Sequence, residues 1–348
     1  HVFSVKTTPV AVFTLSKLAA CSPVVVEFSN QSVRADSLYW NFGNGTFSNS
    51  TDSIQSVVYE NNGTIALDFT ITLQALTDEG CASQQTSTIT VYPRIEAGFI
   101  DPGIFCSPAM VQFNSTSVNA NSLQWEFGNG TVSSIPAPTS YFSNETGDPV
   151  VFEIELTATS SYGCVDSVTQ NVTINPTPII NFLPSVFAGC APVSVEFTNN
   201  SLFADEIVWT YGDGSSSTTN ELVHSHTFEN NGTQPEAMAV TLAAVSDEGC
   251  NSSSTVEITI YPAVTAGFMS PGESCAPAQV EFVNTSVNAV SYQWSFGNGL
   301  MSIMTSPTTN YTNTTGETEV FDISLLAANV YGCTDTAFQQ VTIFATPD

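Results

Sequence analysis

The chain has 348 residues, enough for two to four domains, and 42% of them are hydrophobic, so apolar cores can form. Acidic residues outnumber basic residues 32 to 4, the formal net charge is -28, and neither Lys nor Arg occurs after Arg94. This composition excludes nucleic acid as a partner, since phosphate contacts need Lys and Arg, and it argues against binding to anionic membranes. No apolar stretch approaches the roughly 18 residues that a membrane-spanning helix needs.

One motif occurs four times along the chain. Each copy has a tryptophan, an aromatic residue two positions later and then a Gly-Asn-Gly or Gly-Asp-Gly turn, and the tryptophans are spaced by 85, 84 and 85 residues. The tryptophans are Trp40, Trp125, Trp209 and Trp294, and the turn glycines are Gly43, Gly45, Gly128, Gly130, Gly212, Gly214, Gly297 and Gly299. Each copy also has a cysteine before Ser-Pro or Ala-Pro and a second after Gly: Cys21 and Cys81, Cys106 and Cys164, Cys190 and Cys250, Cys275 and Cys333. The sequence therefore predicts four small domains.

A longer period of 169 residues relates the first copy to the third and the second copy to the fourth. The duplicated unit is therefore a pair of unlike domains, which is how very long repetitive proteins grow. We expect domains at residues 11–94, 95–179, 180–263 and 264–348. Residues 1–10 match the segments between copies, so we expect them to be the last strand of a preceding repeat or a linker, in a longer protein.

Alternating hydrophobicity predicts β-strands throughout the chain. In LDFTITLQAL, Phe69, Ile71, Leu73 and Ala75 alternate with polar residues, and the other copies have apolar residues in the same places. This pattern indicates a strand with one buried face, and no window shows a helical period with caps. Short strands separated by Gly and Asn turns predict an all-β fold, a tandem array of four β-sandwiches forming an extended rod. Trp40 is expected to lie in a core beside a tight turn, as a corner of the fold and not a reactive loop.

The repeated segments resemble the polycystic-kidney-disease (PKD) domain. The resemblance rests on Trp-x-Phe-Gly-Asn/Asp-Gly, a following aromatic strand, Asn-Gly, alternating hydrophobic residues and a closing Gly-Cys, and it covers residues 11–348. It implies an immunoglobulin-like β-sandwich for each copy. The chain departs from the family's Trp-Asp-Phe-Gly-Asp-Gly, in which the second Asp is kept here only as Asp213. The paired cysteines resemble the PKD-like arrays of giant surface and gliding adhesins of Bacteroidetes.

Two cysteines in each copy suggest four disulfides within the domains, which would be Cys21–Cys81, Cys106–Cys164, Cys190–Cys250 and Cys275–Cys333. Each would close a loop of about 60 residues and contribute roughly 4 kcal/mol in the chain-entropy model. Zinc binding is the alternative, but the chain has no Cys-x-x-Cys and only three histidines. With these pairs formed, no cysteine would remain as a nucleophile.

His224 and His226 form the one His-x-His pair of the sequence, on a predicted strand where both face the same side. They could be two metal ligands, but the other three copies lack them, which favours a structural role. A Ser-His-Asp triad is implausible with so few histidines. Glu153 and Glu155 lie on an alternating strand and are interpreted as its solvated face. We therefore expect no catalytic residues and no enzyme activity.

Calcium is the one cofactor that the sequence leaves open, since acidic and carbonyl oxygens in turns can bind it. No cofactor is required by any motif. The candidate ligands are Asp213, Asp247 and Glu248.

Asp-Ser/Thr-aliphatic triplets resemble the O-glycosylation signal of Bacteroidetes. The candidate residues are Ser37, Ser53, Ser167 and Thr336. Thr336 follows Ser167 by 169 residues, so this triplet recurs with the duplicated pair.

The tandem array favours a structural and adhesive function, as a segment of a long repetitive bacterial cell-surface filament or adhesin stalk, with gliding motility as one context. Its partners would be a protein or glycan on a surface or neighbouring cell, or copies of itself. The alternatives are spacer modules of a secreted multidomain hydrolase, or a carbohydrate-binding module, which should have an exposed aromatic platform. All of these predict an extracellular location.

Overall fold

The computed structural model describes residues 6–346, and every regular element in this range is a β-strand. The predicted all-β fold of tandem immunoglobulin-like sandwiches is confirmed. Residues 1–5, part of the predicted preceding strand or linker, lie outside the described range. Within that range no helix is long and apolar enough to cross a membrane.

The first half of the chain contains two sandwiches. The strands of the first domain are β1 (Phe13–Leu15), β2 (Ala19–Cys21), β3 (Val24–Asn30), β4 (Ser37–Asn41), β5 (Phe47–Ser48), β6 (Ile54–Tyr59), β7 (Leu67–Leu76) and β8 (Ala82–Tyr92). The strands of the second domain are β9 (Gly103–Cys106), β10 (Ala109–Gln112), β11 (Ser122–Glu126), β12 (Val132–Ser133), β13 (Thr139–Phe142), β14 (Val150–Thr159) and β15 (Val165–Asn175).

The second half repeats this arrangement. The strands of the third domain are β16 (Phe182–Pro184), β17 (Ala188–Cys190), β18 (Val193–Asn199), β19 (Glu206–Thr210), β20 (Ser216–Ser217), β21 (Val223–Phe228), β22 (Glu236–Val245) and β23 (Asn251–Tyr261). The strands of the fourth domain are β24 (Phe268–Met269), β25 (Glu273–Cys275), β26 (Ala278–Glu281), β27 (Val283–Asn284), β28 (Ser291–Ser295), β29 (Met301–Ser302), β30 (Thr308–Tyr311), β31 (Glu319–Ala328) and β32 (Thr334–Phe344).

Each domain has a five-stranded sheet with the same strand order. In the first domain this order is β2-β8-β7-β4-β5, in which β2 runs parallel to β8 and the other neighbours are antiparallel. The opposing sheet is β1-β3-β6 in the first domain and β16-β18-β21 in the third, and is reduced to two-stranded pairs in the second and fourth. Two such sheets packed face to face form an immunoglobulin-like sandwich.

Alternate residues of the two sheets fill the core of each domain. In the first domain Trp40 is fully buried on one sheet and lies edge-on to Phe13 of the other, with ring centroids 5.2 Å apart. The same contact recurs as Phe99–Trp125, Phe182–Trp209 and Phe268–Trp294, at 5.1, 5.0 and 5.1 Å. The tryptophan of the repeated motif therefore packs the two sheets together in every domain.

The turn after each tryptophan contains glycine at two positions for different reasons. Gly43 has a φ of +78°, and a Cβ there would lie 2.5 Å from the carbonyl oxygen of Thr70. Gly45 has a φ of +87° with open space around it. Both positions favour glycine because L-residues rarely adopt such angles, and only Gly43 is also constrained by the neighbouring strand. The counterparts of Gly43, which approach a neighbouring backbone in the same way, are Gly128, Gly212 and Gly297.

The chain divides into two compact units between Pro176 and Thr177. Each unit contains two sandwiches with separate apolar cores. The unit therefore corresponds to the pair of unlike domains that the 169-residue period predicts. The exact domain boundaries within the units stay predictions.

Candidate functional site at the domain junctions

The disulfides join successive domains, and the pairing predicted within domains is wrong. Cys21 of the first domain bonds to Cys164 of the second, and Cys190 of the third bonds to Cys333 of the fourth. Both bonds span 143 residues. The other cysteines are the disulfide-bonded Cys106 and Cys250 and the free Cys81 and Cys275. None of the four predicted pairs is formed.

Strand geometry explains why two cysteines of one domain cannot pair. Cys21 lies beside Tyr92, at the end of β8, because β2 pairs in parallel with that strand. Cys81 directly precedes Ala82, at the start of the same strand. Ten residues of extended chain separate the two positions by roughly 33 Å, whereas a disulfide needs Cα atoms within about 7 Å. The two cysteines therefore lie at opposite ends of the domain, where each can meet only a neighbouring domain.

Each bond closes a ring that contains parts of two domains. In the chain-entropy model a ring of 143 residues contributes roughly 5 kcal/mol. The bond also holds the end of one domain, where its last strand finishes and the chain leaves it, against the end of the next domain at which the chain enters. It therefore acts on the junction, where a bond within a domain would act on one sandwich.

Aromatic and amide contacts surround the disulfide of the first unit. Tyr92 stacks on Tyr162 with ring centroids 4.7 Å apart and planes at 11°. The Nδ2 atom of Asn119 donates hydrogen bonds to the carbonyl oxygens of Gly63 and Arg94, at 3.1 and 2.7 Å. The second unit repeats these contacts with Tyr261–Tyr331 at 5.1 Å, and with Asn288 donating to Gly232 and Ala263 at 2.8 and 2.9 Å. The same set of specific side-chain contacts, at equivalent positions, thus forms the domain interface in each unit.

Two aspartates of the predicted glycosylation triplets hold the segments between domains. Asp166 Oδ2 accepts a hydrogen bond from the backbone N–H of Ala97, and Asp335 Oδ2 accepts one from Ala266, both at 2.8 Å. The hydroxyl residues of the triplets are all exposed: Ser37, Ser53, Ser167 and Thr336. The recurrence of the Asp therefore has a structural reason, and the O-glycosylation of its neighbours stays a prediction.

The third domain has a polar cluster that the other domains lack. In the other three domains an asparagine of the turn donates to the facing strand, as Asn44 does to the carbonyl oxygen of Val58 at 3.3 Å. The side chain of Asp213 has no N–H to donate, and its Oδ2 instead pairs with His226 Nε2 at 2.7 Å. The hydroxyl of Tyr211 contacts His224 Nε2 at 2.9 Å, and the ring of Tyr211 stacks on His226 at 3.9 Å. The Nε2 atoms of the two histidines therefore have different hydrogen-bond partners, although Tyr211 contacts both rings.

This cluster contains a serine, a histidine and an aspartate, but it is not arranged as a catalytic triad. In a triad one ring nitrogen of the histidine takes the serine proton and the other is held by the carboxylate. Here both contacts use His226 Nε2, which lies 2.7 Å from Asp213 and 3.3 Å from the hydroxyl of Ser215. The serine hydroxyl also donates to the same carboxylate. The arrangement therefore holds the turn of Asp213 against strand β21, which contains His226.

The three candidate calcium ligands do not come together. Asp213 lies in the turn that packs against Ala239 of β22, through Gly212. Asp247 follows the far end of the same strand, beyond Val245, and its N–H donates to Asp205 Oδ2. Six residues of strand separate the two regions by roughly 20 Å. In the described part of the chain no group of three or more His, Cys, Asp or Glu residues could hold a metal ion, and calcium binding stays a prediction without a formed site.

Acid is expected to destabilise the third domain before the others. Burial lowers the pKa of His224 below its ordinary 6.5, opposed by Glu221 and assisted by His226. Because the folded state binds this proton less tightly than the unfolded state, stability is complete above about pH 6.5 and falls below it. Burial alone would raise the pKa of Asp213, but hydrogen bonds from Ser215 and His226 outweigh it and hold the pKa at about 2. A second loss therefore follows as the pH falls from about 4 to 2.

Hydrogen exchange at pH 7 and pH 5, corrected for intrinsic rates, checks the first loss of stability, which protonation of His224 causes. We expect β22 and β23 to lose protection while β7 and β8 of the first domain keep theirs. His224→Gln is the matched variant, because Gln55 occupies the same register position opposite Phe28 that His224 occupies opposite Phe197. The variant should remove the difference between the two pH values. Equal loss in both domains would contradict the effect of burial on His224.

No family model matches the chain, and no curated protein matches it. The PKD1 domain of the metalloprotease PrtV from Vibrio cholerae is similar at 30% identity, over 24% of this chain and 98% of that domain, with a TM-score of 0.20. The PKD1 domain of Epp from Vibrio anguillarum is similar at 27% identity, over 24% and 96%, with a TM-score of 0.21. The D1–D4 ectodomain fragment of ICAM-5 is similar at 10% identity, over 97% and 100%, with a TM-score of 0.46.

Proposed function

We propose that the chain is a structural and adhesive segment of a long, repetitive filament or adhesin stalk on a bacterial cell surface. Its domains would be PKD-like sandwiches, its partners a protein or glycan on a surface or neighbouring cell, or copies of itself. Gliding motility is one context in which such a filament would act. None of the residues has a catalytic task in this proposal.

One observation carries the proposal: disulfides connect one domain to the next. A bond that joins the end of one sandwich to the start of the following one resists separation of the domains under tension, which a load-bearing stalk requires. Disulfides also persist in oxidising compartments outside the cytoplasm, which supports an extracellular location. The acidic surface, with a net charge of -28, favours an exposed and soluble protein.

Electron microscopy of the protein isolated from its own cells, labelled with antibodies raised against this chain, tests the proposal. We expect a long, uniform, beaded fibre with a repeat of two domains and label along its length. A short stalk that ends in a compact globular head would contradict the proposal. That result would favour the alternative of spacer modules in a secreted hydrolase.

A carbohydrate-binding role is the second candidate, and one surface of the first domain favours it. Tyr39 and Phe47 are 40% and 56% exposed and stack on each other with ring centroids 5.9 Å apart. Exposed aromatic rings offer apolar surface against which the apolar face of a sugar can pack. Glycan-array binding that is lost in Tyr39→Ala and kept in Val58→Ala, which changes another exposed apolar residue of this domain, would support this role.

A further inference from the structure

Cys81 and Cys275 are free, although the residues at equivalent positions are bonded. Cys81 corresponds to Cys164, since each follows the glycine of the turn before the last strand of its domain. Cys275 corresponds to Cys190, since each ends the strand that pairs in parallel with that last strand. Each free cysteine is therefore one half of a bond that the chain forms elsewhere.

The backbone around Cys81 already has the conformation of its bonded counterpart. The Cys81 N–H donates to Thr77 Oγ1 at 3.2 Å, and the Cys164 N–H donates to Ser160 Oγ at 3.1 Å. The carbonyl oxygens of the two cysteines accept from the N–H of these same residues, at 2.9 and 2.8 Å. The two cysteines differ in solvent exposure: Cys164 is 2% exposed, whereas Cys81 is half-buried.

The strand end at Cys275 also matches its bonded counterpart. Cys275 lies opposite Phe344 of the last strand, as Cys190 lies opposite Tyr261. Cys275 is exposed, as the bonded Cys190 is. The backbone at Cys81 and at Cys275 thus has the conformation of the bonded positions, and both cysteines are free.

The first domain also resembles the second domain at the positions through which the second domain contacts its preceding domain. Arg34 has a φ of +61°, as Asn119 has +58°, and Asn119 uses this conformation to reach the preceding domain. The left-handed conformation costs a non-glycine residue about 1–2 kcal/mol. Lys6 donates to the carbonyl oxygen of Glu79 at 3.1 Å, on the turn that corresponds to the turn of Tyr162. Because Arg34 is exposed, this face of the first domain is open.

We propose that Cys275 of one copy of these four domains forms a disulfide with Cys81 of a following copy. The partner is therefore a second set of the same domains, arranged head to tail. The two thiols lose two protons and two electrons to a disulfide oxidant, which is itself reduced to two thiols, by thiol–disulfide exchange. The proposal concerns how the domains are linked, and it does not depend on an adhesive role.

A fusion of residues 1–344 to residues 7–348 tests the proposal within one chain. Thr7 of the second copy then follows Phe344, as Pro93 follows Tyr92. The fusion spaces Cys275 and the second Cys81 to within one residue of the 143 found in the bonded pairs. After refolding with reduced and oxidised glutathione, we expect two free thiols, and mass spectrometry should identify the bond between Cys275 and the second Cys81.

The matched control is Cys81→Ser in the second copy only, for which we expect three free thiols. The bond between Cys21 and Cys164 in the same sample shows that the conditions permit oxidation and that the domains are folded. Four free thiols in the fusion, with that bond formed, would overturn the proposal. A bond between the two copies of Cys81, or between the two copies of Cys275, would overturn it as well. Neither result would bear on the filament, which the electron microscopy tests separately.

Discussion

Removing the disulfide between Cys21 and Cys164 is expected to lengthen the unfolded first unit about sixfold under tension. With the bond closed, force passes from residue 6 to Cys21, across the bond to Cys164 and on to residue 176, which gives at most about 100 Å of chain. With the bond open, the whole segment extends to about 600 Å. The difference of about 500 Å is the length of the 143-residue ring, which force cannot extend while the bond is closed.

Single-molecule pulling on the full chain, with handles at residues 6 and 176, measures this length directly. The test variant carries Cys21→Ser and Cys164→Ser, so that removing the bond creates no new unpaired thiol beside the free Cys81 and Cys275. Cys81→Ser is the matched control, because Cys81 is free and its replacement leaves the ring closed. The control should extend like the parent protein. An equal unfolded length for the double variant and the parent would show that this bond does not carry the load.

Local patterns predicted the fold because the forces that decide it act over a few residues. The alternation at Ile71, Leu73 and Ala75 indicated one buried face, and all three side chains are fully buried in the structure. The Gly-Asn-Gly turn indicated positive φ angles, which Gly43 and Gly45 adopt. The sequence therefore supplies enough information for strands, turns and core positions.

The disulfide pairing could not be predicted from spacing, because it depends on which end of a domain each cysteine occupies. Equal spacing in every copy is compatible with bonds within domains and with bonds between neighbours. The parallel pairing of β2 with β8 decides between them, since it brings Cys21 to Tyr92 at the exit of the domain. Parallel pairing of a three-residue edge strand leaves little signal in a sequence.

In the third domain, two departures from the other copies depend on each other. Asp213 is the one aspartate among the four turns, and His226 belongs to the one His-x-His pair. Both departures occur in the same domain. An aspartate that replaces an asparagine loses the side-chain N–H donor, and His226 on the facing strand pairs with its carboxylate instead.

The four tryptophans are equivalent in the sequence but not in their hydrogen bonds. Trp125 Nε1 donates to the carbonyl oxygen of Ile135 at 3.0 Å, and the tryptophans of the third and fourth domains make the same contact. Trp40 Nε1 is buried without a partner, and the carbonyl oxygen of Ser50, which corresponds to that of Ile135, accepts from Gln55 Nε2 instead. A burial pattern cannot reveal such an exchange of donors.

Trp125→Ala is expected to destabilise the second domain by about 3–5 kcal/mol, the range for removing a large buried aromatic side chain. Trp125 is fully buried, and its ring contacts Phe99 and Phe113 at centroid distances of 5.1 and 5.7 Å. Its removal therefore opens a cavity between the two sheets and leaves the carbonyl oxygen of Ile135 without its donor. Hydrogen exchange should show protection of β14 and β15 reduced by at least about 100-fold, since 1.36 kcal/mol corresponds to one factor of ten.

The matched control is Val132→Ala on the neighbouring strand β12. Val132 is 69% exposed, and its strand pairs with the strand of Trp125. Loss of an exposed side chain should change the free energy of unfolding by no more than about 0.5 kcal/mol. In both variants the strands β31 and β32 of the fourth domain should keep their protection, because that domain has its own core. If Trp125→Ala leaves β14 and β15 as protected as Val132→Ala does, the tryptophan does not hold the two sheets together, and the repeated motif needs another explanation.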